Sequence, residues 1–451
     1  MRILIAGGGQ VAALIARRLI REGNEVVLVE ENPDRCRELE EMLDAKIVQG
    51  NAASVTALHR AGIQDTEMLI AATNSDASNV LACLIAQSES NVRVKVLRMR
   101  THEVDHWRRL SESLGLGIDH IIHPETEVSE QIMGVLNYPG ISEILEFAGG
   151  EARLFGMNVE MGGALVGKSL LELQAAGPPE NSLIAMIFRG QQVIIPHGAE
   201  KLRLGDHIYV MCTRHNMEET IAFMGLQPRK KVERVFIVGG RQLGIQIAEI
   251  LESRDVQVKL FEKDIARCQK ISTILDHAIV VHGDGTDQST LMEENVDGID
   301  AFLALTGDDE DNIIASLLAR RLGVSKVVAL INRMNYLPMV QRLGINTTVS
   351  PRLTTVDSIL QWVRKGRVLS VTTFGEDAAE AIELIATPDT RYVGQRLRDI
   401  RFPRGAIVGA IARPDGQVLV PRGDVTIEPG DRVIFFALEG VVPELESAFL
   451  S

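Results

Sequence analysis

The sequence predicts an α/β protein of two tandem units, each a doubly wound parallel sheet followed by a small β-rich α+β lobe. Three observations predict this. A strand, a glycine turn and an apolar-striped helix occur twice, as "RILIAGGGQVAALIARRL" and "RVFIVGGRQLGIQIAEIL". The copies align in register, with Gly7 on Gly239 and Glu30 on Glu262, each pair 232 residues apart. Within each copy apolar strands alternate with helix-length segments, which implies right-handed βαβ crossovers and a sheet covered on both faces.

The elements follow in order. After the opening strand and helix come a second strand ("EVVLVE", "QVKLFE"), a helix, a third strand and another helix. A fourth strand ("MLIAAT", "AFLALT") and its helix lead to a fifth strand ("VRVKVLRM", "KVVALINR"). In "TNSDASNVLACLIA" and "TGDDEDNIIASLLA" the apolar positions Val80, Leu81, Leu84 and Ile85 match Ile313, Ile314, Leu317 and Leu318 at helical spacing. A second repeat, residues 163–211 against 390–436, keeps a Val-Gly pair, a strand ending in Pro and a Gly-Asp turn before a last apolar strand. Short alternating strands with such turns predict the small β-rich lobe. "PETEVSEQIMGVL" (124–136) and "PRLTTVDSILQWV" (351–363) read as joining helices, each opening on a proline. The basic "QPRKKVERV" (227–235) reads as a solvated linker between the halves.

Composition narrows the function. At 451 residues the chain has room for several domains, and 45% hydrophobic and 24% charged residues are ordinary for globular proteins. A formal net charge of −14, with bases interleaved among acids, argues against a nucleic-acid partner. Cys36, Cys83, Cys212 and Cys268 form no CxxC pair and read as buried packing thiols of a reducing compartment. No apolar run is long enough to span a membrane, and Met1 leads almost directly into a strand, so a cytoplasmic protein without a signal peptide is expected.

The glycines carry the chemistry. Gly7-Gly8-Gly9 with Gln10, Val11 and Ala12 follows a strand and opens a helix, the context of a Rossmann dinucleotide fingerprint. A pyrophosphate must approach backbone N–H groups closely at the positive helix end, and a Cβ at the middle glycine of the pattern would stand in its way. Glu30, ending the second strand, is placed to accept hydrogen bonds from an adenosine ribose. It disfavours a 2′-phosphate: two unit charges ~4 Å apart repel by about 4 kcal/mol at an effective dielectric of 20. NAD(H) and ATP or ADP satisfy Glu30 equally.

At the carboxyl ends of later strands, Thr73, Asn74 and Asp76 are expected to cap a helix and touch the nucleotide. Arg98 and Arg100, two apart, are expected to project from one strand face and clamp phosphates. In the second copy Gly239, Gly240, Arg241, Gln242 and Leu243 form the turn, and Glu262, Asp284, Thr306 and Arg333 persist around it. Arg241 replaces the middle glycine, so that site reads as vestigial or altered, with the arginine blocking the pyrophosphate or reaching it. "HEVDH" (102–106) matches HExxH, but it starts a helix and its duplicate reads "NYLPM", so a metal role is not expected. His120 and His123 read as surface or packing residues.

Across essentially the full chain, "ILIAGGGQVA", "KIVQGNAASVTALHRAGI", "MLIAATNSDASN", "RMR", "GDGTDQSTLMEE" and "SPRLTTVDSILQWVRKGRVLSV" resemble the TrkA family. These are peripheral regulatory subunits of bacterial Trk potassium uptake systems, built from tandem RCK (KTN) units. The resemblance implies an RCK-N lobe at 1–123, a linker helix at 124–140, an RCK-C lobe at 141–226, a second RCK-N lobe at 232–350, a linker helix at 351–365 and a second RCK-C lobe at 366–451. It implies a homotetramer on the cytosolic face of a TrkH-type potassium-conducting membrane subunit, with NAD(H) and ATP or ADP biasing its open state. The family's nucleotide contacts map onto Gly7, Gly9, Gln10, Val11, Glu30, Thr73, Asn74 and Arg98, with Arg100 as a phosphate contact. Asn51 stands where the family usually has Asp. The alternative reading, an NAD-dependent oxidoreductase with a duplicated lobe, needs a placed acid or base facing the nicotinamide, and the sequence offers no such set. Regulation without catalysis is therefore the expectation.

Overall fold

The structure, a computed structural model, describes residues 1–101, 104–161, 163, 165–190, 192–345, 347–363, 368–375 and 378–450. The first large lobe runs β1 (Arg2–Ala6), α1 (Gln10–Arg21), β2 (Glu25–Glu30), α2 (Pro33–Met42), β3 (Lys46–Gln49), α3 (Val55–Ala61), β4 (Met68–Ala71), α4 (Asp76–Glu89), β5 (Val94–Arg98), α5 (Val104–Leu114) and β6 (His120–Ile122). Its sheet has the order β3-β2-β1-β4-β5-β6, and every pairing is parallel. The strands are nearly continuous apolar runs because both faces are covered. Ile3, Ile5 and Ile70 pack on one side with Ile15 and Leu19 of α1. Leu4, Ala6 and Leu69 pack on the other with Leu58 and Cys83.

A connecting helix, α6 (Pro124–Leu136), leads to the first small lobe: β7 (Ile141–Phe147), β8 (Ala152–Asn158), α7 (Leu170–Ala175), β9 (Ser182–Arg189), β10 (Gln192–Ile194), β11 (His207–Thr213) and α8 (Met217–Phe223). The second large lobe repeats the first: β12 (Arg234–Val238), α9 (Gln242–Glu252), β13 (Gln257–Glu262), α10 (Ile265–Ile271), β14 (Ile279–His282), α11 (Gln288–Glu293), β15 (Ala301–Ala304), α12 (Asp309–Arg321), β16 (Lys326–Leu330), α13 (Leu337–Arg342) and β17 (Thr347–Val349). After α14 (Pro351–Val363) comes the second small lobe: β18 (Val368–Phe374), β19 (Ala379–Ile385), β20 (Ala406–Ala412), β21 (Val418–Leu419), β22 (Arg432–Leu438) and α15 (Val442–Leu450). The large sheets share one strand order. The small ones, β10-β9-β11-β8-β7 and β18-β19-β22-β20-β21, are the same antiparallel arrangement read from opposite edges. The predicted fold class is therefore the observed one.

The Gly-Asp turns have a structural reason. Asp206 is buried, accepts from Arg203 N at 2.8 Å and pairs with Arg189 at 2.9 Å. Asp431 does the same with Glu428 N at 2.7 Å and Arg413 at 2.6 Å. A buried carboxylate survives in such a place because a guanidinium and a backbone N–H both satisfy it. All four cysteines are buried free thiols, as read. Burial pushes Cys83 and Cys212 up to about 12.

The joining helices hold a finding the sequence did not disclose. The chain divides into two compact units, Met1–Glu127 with Pro351–Lys365, and Val128–Ser350 with Gly366–Ser451. In the first unit Val356, Ile359 and Leu360 of α14 are buried in the core of the first large lobe, and Trp362 stacks on His120 with centroids 4.7 Å apart. In the second, Val128, Ile132 and Leu136 of α6 complete the core of the second large lobe. Each helix joins the lobes of its own repeat along the chain yet covers the large lobe of the other. Burying such a side chain contributes about 1.5–3 kcal/mol, so the exchanged packing is a substantial part of each core.

Within the second unit Lys326 is buried and donates from Nζ to Ile141 O at 2.5 Å and Thr347 Oγ1 at 3.3 Å. Burial pulls its ammonium from the ordinary 10.5 to about 7. Between those values the unfolded chain binds more protons than the folded one, so stability rises with pH across that window. Below pH ~7 the cost of burying the charge is fully present. Lys326→Met is expected to remove a slope of up to ~1.4 kcal/mol per pH unit, read by urea unfolding of both proteins from pH 7 to 10. Equal slopes would show that the amine is not held low.

Candidate functional site

The crevice lies at the carboxyl ends of β1, β2, β4 and β5, where the strand order reverses and a doubly wound sheet leaves room for a ligand. Gly7 has φ +110°, and a Cβ there would lie 3.1 Å from the Thr73 backbone, so the turn must pass against the end of β4 without a side chain. Gly8 donates its N–H to Glu30 Oε2 at 2.6 Å, and Asn32 donates to Oε1 at 2.8 Å. Glu30 thus ties the glycine turn to β2, and its remaining lone pairs stay open to hydroxyl donors. Arg35 Nε clamps the turn from α2 by donating to Gly8 O at 2.7 Å. Gly9 caps α1 in extended backbone, and a Cβ built on it would meet nothing within 4 Å. That empty space stands directly before the N–H groups of Gln10 and Val11, at the positive end of a 12-residue helix. Ala12 is fully buried beneath.

The other predicted residues fall around this crevice with some reassignment. Thr73 is at the tip of β4, but the cap of α4 is Ser75, whose Oγ accepts from Ser78 N at 3.2 Å, and not Thr73, Asn74 or Asp76. The Asp76 carboxylate instead accepts from Arg100 N at 3.0 Å and Thr101 N at 3.1 Å, shaping the loop after β5. Arg98 and Arg100 do not share a strand face, because β5 ends at the half-buried Arg98 and Arg100 stands exposed beyond it. Arg98 Nε is buried without a hydrogen-bond partner. Burial lowers the Arg98 guanidinium, Glu125 and Asp76 oppose that, and the like charges of Arg100 and Arg352 add to it. Asn51 accepts from Ala53 N at 2.8 Å and reaches Glu31 at 3.4 Å, forming the turn after β3.

The second lobe builds the same frame around different side chains. Glu262 accepts from Gly240 N and Asp264 N, both at 3.0 Å, as Glu30 does. Gly239 has φ +113°, and a Cβ there would stand 2.7 Å from Leu305 O. Arg241 caps α9, which continues through Gln242 and Leu243, and its guanidinium lies so close over Gly307 that a Cβ on that glycine would be 2.5 Å from Cζ. Lys263 reaches across to Asp284 at 3.2 Å and Asp311 at 3.0 Å. Burial raises Asp284, but hydrogen bonds from Thr286 and the Lys263 ammonium outweigh it and hold the carboxyl below its ordinary range. Arg333 is not the counterpart of either arginine. Asp309 accepts from Asn332 N and Arg333 N as Asp76 does from 100 and 101, which places Leu330 where Arg98 stands and Asn332 where Arg100 stands. Arg333 pairs outward with Glu310 at 2.6 Å.

One residue escaped sequence reasoning. Asn79 is fully buried and accepts from Thr73 N at 2.9 Å and Thr73 Oγ1 at 2.6 Å, while its amide donates to Thr73 O at 3.2 Å and Arg98 O at 2.9 Å. It locks the ends of β4 and β5 at the spacing the crevice requires. Asn312 repeats this with Thr306 and Leu330. The signal was present as a threonine followed six residues later by asparagine in both copies. Asn79→Ala leaves several half-buried partners unmatched and is expected to cost about 1–3 kcal/mol of unfolding free energy in denaturant titration. A loss under about 0.5 kcal/mol would remove its assigned role.

His102 and Glu103 of the HExxH match lie outside the described residues. His123 Nδ1 meets the Thr126 hydroxyl at 2.8 Å and its ring is buried, a packing role as read. Among the described residues no cluster of His, Cys, Asp and Glu could hold a metal ion, and no helix is long and apolar enough to cross a membrane.

Fold and site together define a tandem nucleotide-fold protein with paired small lobes, and comparison with known proteins agrees. The TrkA-N domain model matches residues 3–124 and 235–351, and the TrkA-C domain model matches 154–225 and 381–450. The Trk system potassium uptake protein TrkA of Halomonas elongata is 37% identical over 97% of this chain and 96% of its own length. The protein of that name from Vibrio alginolyticus is 35% identical over 100% and 98%. The chain belongs to the TrkA family. In fold it resembles the GsuK RCK domain (TM-score 0.62, 19% identity, covering 100% of this chain and 95% of that one) and the GsuK channel bound to NAD (TM-score 0.62, 19%, 100% and 79%).

Proposed function

We propose that this chain is the nucleotide-sensing regulatory subunit of a membrane potassium uptake system, with the first large lobe as its sensor. The observation that carries the reading is the open space at Gly9, next to a turn whose preceding residue, Gly8, is bonded to the Glu30 carboxylate. An adenosine ribose would donate to Glu30, phosphates would accept from the N–H groups of Gly9, Gln10 and Val11, and a terminal phosphate would meet Arg98 and Arg100. The relatives' names carry potassium uptake, and GsuK structures are described with NAD and with ADP. In this reading the second large lobe does not take a nucleotide, and Arg241, standing where the first lobe has Gly9, is what keeps it out.

A nucleotide shifts a channel only by binding two arrangements of the assembly unequally, with a coupling of ~1–3 kcal/mol typical for one site. Helix α14 belongs to the second repeat but is packed on the sensing lobe, so movement around the crevice has a direct connection to the rest of the chain. The partner is a TrkH-type membrane subunit, engaged from the cytosolic face by a homotetramer. In this reading the protein regulates without catalysing. The test is a calorimetric panel of NAD, NADH, ATP, ADP and NADP on the purified protein, with potassium flux through the reconstituted membrane partner measured alongside. One adenosine nucleotide per chain, NADP rejected and nucleotide-dependent flux are expected. No binding by any of the five, or steady nicotinamide turnover, would overturn the reading.

A further inference from the structure

Backbone hydrogen bonds draw three separated segments together at one end of the first small lobe. Val159 N donates to Asp206 O at 2.8 Å, Gly205 N to Val159 O at 2.9 Å, Gly167 N to Leu202 O at 2.8 Å and Leu202 N to Lys168 O at 3.0 Å. Residues 159–161, 166–168 and 202–206 therefore lie side by side. Apolar side chains stand uncovered there: Met161 is 83% exposed, Leu204 53% and Val166 40%. One such residue is ordinary on a protein surface, but three on adjoining turns form a patch. Lys168, Lys201 and Arg203 are exposed among them, and none forms an ion pair among the described residues. The acids nearby are Glu160, on the same turn as Met161, and Glu172, whose carboxylate is turned back onto Ser169 N at 2.7 Å. Bases outnumber acids at this end of a chain whose net charge is −14.

The second small lobe repeats the frame without the patch. Ala386 N donates to Asp431 O at 2.8 Å, Gly430 N to Ala386 O at 2.7 Å and Gly394 N to Ile427 O at 2.9 Å, matching the bonds of Val159, Gly205 and Gly167. On that backbone Pro388, Gln395, Glu428 and Pro429 take the places of Met161, Lys168, Arg203 and Leu204. The frame thus folds without the bases and without the exposed apolar side chains, so the first lobe carries them for some purpose other than folding.

We infer that this end of the first small lobe docks on a bilayer surface containing anionic phospholipids. Met161, Leu204 and Val166 enter the headgroup layer, and Lys168, Lys201 and Arg203 meet the lipid phosphates. The inference rests on the reading above that the chain works beside a membrane subunit, and it adds a contact that does not depend on that subunit. Apolar insertion and attraction of bases to anionic headgroups are the two terms that hold a protein on a membrane without a spanning helix. An acidic peptide would be met by the bases alone and would leave the apolar side chains uncovered.

Cosedimentation of the full-length protein with vesicles of phosphatidylcholine alone, and of phosphatidylcholine mixed with phosphatidylglycerol, tests this. The wild type is expected to bind the mixed vesicles, to leave the neutral ones and to be released as salt rises. Lys168→Gln with Arg203→Glu installs residues that the second lobe carries on the same frame, and is expected to weaken binding roughly tenfold or more. Met161→Ser with Leu204→Ser is expected to weaken it about tenfold. Arg396→Gln with Arg398→Glu makes the same change of net charge on the second small lobe and is expected to stay within about twofold. A wild type that binds neither vesicle, or an equal loss in the second-lobe variant, overturns the assignment. Loss in the charge variant with wild-type binding in the serine variant points to an acidic protein surface and overturns the bilayer. Self-association that the serine variant abolishes, read by light scattering without vesicles, makes the patch an interface between copies and overturns it as well. Nucleotide calorimetry on the same preparations keeps the two readings apart: a protein that binds nucleotide but no vesicle loses only the docking surface, and one that binds vesicles but no nucleotide loses only the sensing function.

Discussion

Gly9→Val is expected to abolish measurable adenosine-nucleotide binding while leaving the fold nearly untouched. The backbone at Gly9, φ −64° and ψ 179°, is one that any residue adopts, and Arg241 holds almost the same angles at the matching place. A Cβ there meets nothing in the protein, so the change costs stability only through a poorer helix cap, about 1 kcal/mol or less. The added methyl groups occupy the space through which a pyrophosphate reaches the helix N–H groups. Losing two such charge-assisted hydrogen bonds, at roughly 1.5–3 kcal/mol each, weakens binding by ~100-fold or more. Calorimetry and denaturant unfolding on the same preparation read the two effects separately. Wild-type affinity in the variant would mean that phosphates do not sit on this turn.

Glu30→Ala is expected to damage both binding and stability, and its duplicate separates the two. Removing the carboxylate strips the acceptor from Gly8 N–H and Asn32 N–H and leaves a ribose without partners. A stability loss of about 1–3 kcal/mol and ~100-fold weaker binding are expected. Glu262→Ala removes the same two kinds of backbone hydrogen bond in the second lobe and is expected to cost similar stability with no change in nucleotide affinity. If Glu262→Ala weakened binding as much as Glu30→Ala, the second crevice would be a working site and Arg241 a ligand rather than a plug. The calorimetric stoichiometry of the wild type gives the same answer independently.

Much of the crevice was legible because its parts are local. A glycine with positive φ before a helix, an acid at the next strand tip and the duplicated pattern are all properties of short stretches, and Gly7, Gly9 and Glu30 stand where their spacing implied. Residues whose partners are distant in sequence were read less well. Asp76 looked like a helix cap, yet Ser75 holds the cap position and the Asp76 carboxylate accepts from the backbone N–H groups of 100 and 101 in the loop after β5. Arg333 read as persisting around the second turn, but the hydrogen bonds of Asp309 fix the register of the two copies and set it one residue past the place of Arg100. Asn79 was passed over because nothing in its neighbourhood announces four hydrogen bonds to the ends of two separate strands.

Alternation of strands with helices, doubled along the chain, was enough to determine the architecture, since apolar periodicity and glycine placement act over a few residues. Only tertiary structure decided which helix covers which lobe. α6 and α14 are comparably amphipathic, and burial of Val356, Ile359 and Leu360 on the first core is a matter of shape and chain closure that no local pattern encodes. That exchange, with Arg241 lying over Gly307 in one lobe and an open glycine at the matching place in the other, makes two lobes of one origin physically unequal.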